Sequence, residues 1–153
     1  DMHISVVREY SWEMGHVLAN HPGKCHNPHG HNYKLEVEVS RKNGEPVSSP
    51  SGMVMDFSTL DVFVKPVLED YDHQFLVNEA DDRLAEEDIN ILIHDGADRW
   101  NFTRVSWEPT AEQIVLNIWK QLTASQRSLP DYISLDRLTL YETDKASATI
   151  RRS

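Results

Sequence analysis

Two stretches near the N-terminus alternate apolar and polar residues with a period of two. Tyr33-Lys34-Leu35-Glu36-Val37-Glu38-Val39 predicts a half-buried strand over residues 32–41. An earlier run, with Val6, Glu9, Tyr10 and Trp12, predicts a strand over 3–12 whose β-like character ends at His16. The connection between them contains Pro22 and Pro28, and a loop of that length inside a small domain points to function. Lys42-Asn43-Gly44-Glu45 carries the Asn-Gly of a tight turn. A surface loop over 46–52 and a short strand Met53-Val54-Met55 follow. Helical spacing then takes over at Leu60, Phe63, Val64, Val67, Leu68 and Tyr71, with Ser58 as the expected cap, Asp61 in the first turn and Pro66 as an expected kink or restart. Residues 79–88 are acidic and partly helical in pattern. Turn signals from 95 lead into a β-like Thr103–Trp107, and the whole stretch is expected to be a solvated excursion. Thr110 and Gln113 form a capping box ahead of Ile114, Val115, Ile118, Trp119 and Leu122. Leu138, Leu140 and Glu142 share one face of a strand over 135–143, within a final hairpin. The order ββ, helix, insertion, helix, ββ predicts an α+β fold with both helices on one face of a sheet.

Composition narrows this picture. The 153 residues, 39% of them hydrophobic, suit a single domain over 1–153. No apolar run reaches the ~18 residues of a membrane span, and the N-terminus lacks signal-peptide regions, so a soluble, cytoplasmic protein is expected. With 15 basic and 25 acidic residues, a net charge of −10, nucleic acid is disfavoured as a partner. The single cysteine, Cys25, cannot form an internal disulfide, which leaves a small buried residue, a metal ligand or a reactive thiol.

The chemistry concentrates in Lys24-Cys25-His26-Asn27-Pro28-His29-Gly30-His31. Side chains two apart on a strand share a face, so His29 and His31 can converge on one ion. A third imidazole would complete the three-ligand set that leaves zinc an open position. His16, at the end of a strand that could pair beside the first, is the best candidate.

Trp12-Glu13-Met14-Gly15-His16 followed by Cys25-x-x-x-His29-Gly30-His31-x-Tyr33 resembles the family of pterin synthases that act on dihydroneopterin triphosphate, the 6-pyruvoyl- and queuosine-pathway 6-carboxy-tetrahydropterin synthases. Tyr71-Asp72-His73, Pro109-Thr110-Ala111-Glu112 and Tyr141-Glu142-Thr143 also resemble its motifs, while Met14-Gly15 stands where the family usually has two alanines. The resemblance implies a T-fold: an antiparallel four-stranded sheet with two helices on one face, assembled into a homohexamer, a dimer of trimers, with sites at subunit interfaces. It implies Zn²⁺ held by His16, His29 and His31, with Cys25 as the proton-moving thiol primed by Asp72 and His73. It further implies that Glu142 accepts both N–H groups of the pterin edge, with Thr110 and Ala111 contacting the ring. The short spacing from Cys25 to His29 matches the carboxy branch, whose products are 6-carboxy-5,6,7,8-tetrahydropterin, acetaldehyde and triphosphate. Two alternatives stay open: the pyruvoyl synthase, which only eliminates triphosphate, and a non-catalytic module whose zinc is closed by Cys25 as fourth ligand.

Overall fold

The computed structural model describes residues 3–45, 47, 51–84, 102–125 and 129–153. Its frame is the antiparallel pair β1 (Ser5–His16) and β2 (His29–Arg41), in register from Ser5 opposite Ser40 to His16 opposite His29. Both strands run beyond the alternating patterns that announced them, up to the histidines. β5 (Ile133–Thr143) pairs antiparallel with β2, and β6 (Ala146–Arg151) with β5.

The expected four antiparallel strands are therefore present, and two short parallel ones extend the edge beside β1. β3 (Phe75–Asn78) pairs with Gly15 and His16, and β4 (Thr103–Val105) pairs with β3. The sheet is mixed and six-stranded, ordered β4-β3-β1-β2-β5-β6. Strands this short carry no readable alternation; they form because the end of β1 offers unpaired backbone groups.

α1 (Phe57–Glu69) and α2 (Ala111–Ala124) pack on one face of this sheet. Tyr10, Trp12, Tyr33, Leu35, Val37, Leu138 and Leu140 meet Leu60, Phe63, Val64, Ile114, Val115, Ile118 and Leu122 in a single core.

Three local expectations are corrected. Asp56, not Ser58, caps α1: its carboxylate accepts the Ser58 N–H at 2.9 Å and the Ser58 hydroxyl at 2.8 Å. Met53–Met55 is not a strand, because the carbonyls of Met53 and Val54 accept from the Arg41 guanidinium at 2.8 and 3.3 Å instead of from a neighbouring strand. Of the kink or restart expected at Pro66, the restart does not occur, since α1 continues through it as one helix. The carbonyl deprived of its partner belongs to Val62, on the 63%-exposed side of the helix, where the loss costs least. At α2, the Thr110 hydroxyl accepts the Gln113 N–H at 3.2 Å as expected, but the Thr110 N–H donates to the Glu108 carbonyl, so the cap is one-sided. Most of the 46–52 loop, and the insertion from 85 to 101, lie outside the described residues. No helix among the described residues is long and apolar enough to cross a membrane.

Candidate metal centre and active site

The β1–β2 register builds the centre. His16 and His29 are cross-strand partners, and His31 lies two residues on, on the same face. The Nε2 atoms of His16 and His29 are 2.9 Å apart, those of His16 and His31 3.2 Å, and one ligand atom from each of the three lies within 4.8 Å of the others. Backbone carbonyls fix the tautomers. His16 Nδ1 lies 2.6 Å from the Pro109 carbonyl and His29 Nδ1 2.7 Å from that of Asn27. Carbonyls only accept, so Nδ1 carries the proton in both rings and Nε2 presents its lone pair to the cluster.

Burial favours the neutral form of His16 and His31. It lowers the His16 pKa to about 4, aided by His29 and His31 and opposed by the Pro109 carbonyl. It also lowers that of His31, with His29 adding to the effect. Converging lone pairs at 2.9 Å repel unless a cation lies between them. Three neutral imidazoles with no carboxylate among them suit zinc. Cys25 is not in this set of mutually close ligand atoms, so among the described residues the closed four-ligand arrangement lacks its fourth member.

Other predicted residues gather around the cluster. Through Pro109 the start of α2, with Thr110 and buried Ala111, adjoins His16. Glu142 stands at an irregularity in the β5–β6 ladder between Tyr141 and Thr143, the kind of bulge that re-aims a side chain beside a site. It is half-buried and makes no hydrogen bond among the described residues. Burial raises its pKa, Glu112 in the first turn of α2 adds to the rise, and His29 opposes it. The buried Tyr33 hydroxyl lies 3.4 Å from His16 Nδ1, and burial, with nearby Glu142 and Cys25 adding to the effect, raises its pKa. These groups share one neighbourhood.

Asp72 and His73 do not join it within one chain. They occupy the turn after α1, where a positive φ of 60° at His73 lets adjacent side chains meet, with His73 Nδ1 2.7 Å from Asp72 Oδ1. The His73 N–H donates to the Glu13 carbonyl at 2.7 Å. His73 borders a hollow of about 420 Å³ shared with Glu13, Met14, Gly15, Gly30, His31 and Asn32, so His31 of the histidine cluster lines it too. The pair is exposed, and no hydrogen bond links it to Cys25 among the described residues.

The departure at Gly15 has a steric reason: a Cβ there would lie 2.4 Å from Cδ2 of Phe75, whose ring covers this position.

Glu79, Ala80, Asp82 and Arg83 are exposed, as expected of a solvated excursion, but two contacts there were not anticipated. Asp81 is buried, and Arg83 reaches the loop that carries Cys25. Glu108, also unanticipated, accepts the Ala19 N–H at 2.8 Å and the Asn20 side-chain amide at 3.2 Å. Each reads in sequence as one more surface charge.

Residues 5–153 match the model of the 6-pyruvoyl tetrahydropterin synthase family. A relative from Haemophilus influenzae, named 6-carboxy-5,6,7,8-tetrahydropterin synthase, is 35% identical over 144 residues, covering 90% of this chain and 92% of its own. A probable enzyme of the same name from Halobacterium salinarum is 29% identical over 96% of this chain and 86% of its own. Among solved structures, 6-pyruvoyl tetrahydropterin synthase from Caenorhabditis elegans superposes with a TM-score of 0.64 at 25% identity, covering 98% of this chain and 96% of that one. An uncharacterized protein from Wolinella succinogenes gives 0.74 at 20% identity over the whole of both chains, a likeness of fold. With its family model matched across nearly the full length, this chain belongs to the 6-pyruvoyl tetrahydropterin synthase family of enzymes.

Proposed function

We propose that this protein is a zinc-dependent, cytoplasmic 6-carboxy-5,6,7,8-tetrahydropterin synthase. With one water consumed, it takes 7,8-dihydroneopterin triphosphate to 6-carboxy-5,6,7,8-tetrahydropterin, acetaldehyde and triphosphate, a step toward 7-deazaguanine precursors of queuosine. The observation that carries the reading is the convergence of three neutral imidazole nitrogens at the strand ends joined by the loop that bears Cys25. The choice of product is supported by the short spacing from Cys25 to His29 and by the names of two relatives that this chain matches over most of their length.

His16, His29 and His31 hold the ion, which when bound supplies a Lewis acid for the side-chain hydroxyls of the substrate and acidifies the adjacent C–H. Glu142 accepts the two parallel N–H groups of the pterin edge, a charge-assisted bidentate fit, while Thr110 and Ala111 at the start of α2 flank the ring. Cys25, outside the ligand set, takes the proton from the side-chain carbon. The Asp72–His73 hydrogen bond orients an imidazole to exchange that proton. Because this pair is exposed and no hydrogen bond joins it to Cys25 among the described residues, Asp72 and His73 of the partner subunit complete the site in a ring of subunits, a trimer or a hexamer built from two. The exposed edges of β4 and β6 favour such closure.

Incubation with dihydroneopterin triphosphate and mass analysis of the products tests the reading. Acetaldehyde, triphosphate and the carboxypterin are expected; triphosphate with a pterin that keeps its three-carbon side chain would replace the carboxy reading with the pyruvoyl one.

A further inference from the structure

The turn that carries Cys25 has no packing to hold it. Lys24–His26 is a single turn of 3-10 helix with no buried residue, so the position of the thiol depends on hydrogen bonds to the loop backbone. One side chain from elsewhere in the chain supplies two of them. Arg83 donates from Nη1 to the His26 carbonyl at 2.6 Å and from Nη2 to the Leu18 carbonyl at 3.3 Å. These two acceptors bracket the thiol residue. His26 follows it directly, and the Leu18 N–H donates to the Cys25 carbonyl at 3.0 Å.

Arg83 is itself aimed. Asp81 receives its Nε at 3.1 Å, its Nη2 at 2.9 Å and its backbone N–H at 3.0 Å, and the Asp81 side chain is only 2% exposed. A buried carboxylate needs a cationic partner, and one edge of a guanidinium would satisfy that need. The remaining donors are spent on two carbonyls of a single loop, a division of labour that lysine's compact ammonium cannot reproduce.

We infer that Arg83, oriented by buried Asp81, is a positioning residue for Cys25: it sets the height of the thiol over the histidine cluster and so the geometry of proton removal. This rests on the proposed role of Cys25 as the base.

The test uses the full-length, zinc-loaded protein with Arg83→Ala, Arg83→Lys and Asp81→Asn. Misplacing a catalytic group by an ångström lowers turnover by up to about 100-fold. Arg83→Ala is therefore expected to lower kcat about 10- to 100-fold, with KM within about threefold and zinc content unchanged. Added guanidinium ion is expected to recover part of the lost kcat in this variant and none in wild type, and Cys25 is expected to be alkylated faster by iodoacetamide. Arg83→Lys keeps the charge beside Asp81 and is expected to share the kcat defect, which settles the matter if the alanine variant does not fold. Wild-type kcat with a wild-type alkylation rate overturns the inference. A defect confined to KM overturns it too, by making Arg83 a substrate-binding group. If Cys25→Ala still turns over substrate, the base assignment fails separately, and the alkylation rates alone then decide whether Arg83 holds the loop.

Discussion

Replacing Glu142 with glutamine removes the carboxylate's charge while keeping its shape, and under the role proposed for Glu142 the consequence falls almost wholly on substrate binding. In the free enzyme the side chain makes no hydrogen bond among the described residues, so nothing in the fold loses a partner. In the complex, glutamine offers one acceptor and turns an NH₂ toward the second pterin donor. The loss of a charge-assisted pair is worth about 1.5–3 kcal/mol, or roughly 10- to 150-fold in KM at 1.4 kcal/mol per decade. Stability moves the other way. Burial and Glu112 raise the Glu142 pKa above 4.5, so the folded state holds its proton more tightly than the unfolded chain does. The wild-type protein therefore loses stability as pH rises through the interval between the unfolded and folded pKa values. Glu142→Gln is expected to unfold at or above the wild-type temperature near neutral pH, and the difference should shrink below the carboxylate range. Steady-state kinetics and thermal unfolding at both pH values check this. A variant with unchanged KM and a lowered Tm would show that the carboxylate supports the fold and not the ligand.

Three further outcomes follow from the same geometry. His29→Ala and His31→Ala should each lose most of the roughly one zinc per chain expected of wild type; metal analysis showing full zinc in both variants would end the ligand assignment. Gly15→Ala places a methyl 2.4 Å from the Phe75 ring, itself packed edge-on to Phe102 with ring centroids 5.3 Å apart. Overpacking of this kind costs about 1–3 kcal/mol, so Tm should drop, and Phe75→Leu in the same chain should recover part of it; additive losses in the double variant would refute the contact. Light scattering at micromolar concentration should give a trimer or hexamer, and a monomer would leave the Asp72–His73 pair without access to Cys25.

Much of this was legible in the chain. Period-two alternation located β1 and β2, and the rule that alternate strand residues share a face brought His29 and His31 together before any coordinates did. Thr110 as a cap, Asp72–His73 in a turn and Glu142 ending an apolar row follow equally from local rules. What stayed hidden depends on distant partners. Asp81 and Arg83 sit in an acidic run that reads as solvent-facing, and their significance comes from carbonyls at Leu18 and His26, far away in sequence. The cap fell to Asp56 over Ser58 because both are good capping residues and only the path of the chain decides between them. β3 is too short to alternate visibly, whereas β4 falls inside the β-like Thr103–Trp107 run and only its pairing with β3 was hidden. Where the turn carrying Asp72–His73 lies relative to the loop carrying Cys25 is set by the folding of the sheet, which linear spacing does not encode.

The ladder that pairs His16 with His29 also divides what mutation can adjust. The ligands are locked by strand register, where a slip of one residue would turn every histidine to the opposite side of the sheet. The thiol rides on the segment 17–28, whose ends are pinned at that same pair. Residues can be added to or removed from this segment while the chelating triad stays where it is. On the roles proposed for the histidines and Cys25, metal affinity and reaction outcome are thus set by different parts of the chain: one by sheet register, and the other by the length and anchoring of a single loop.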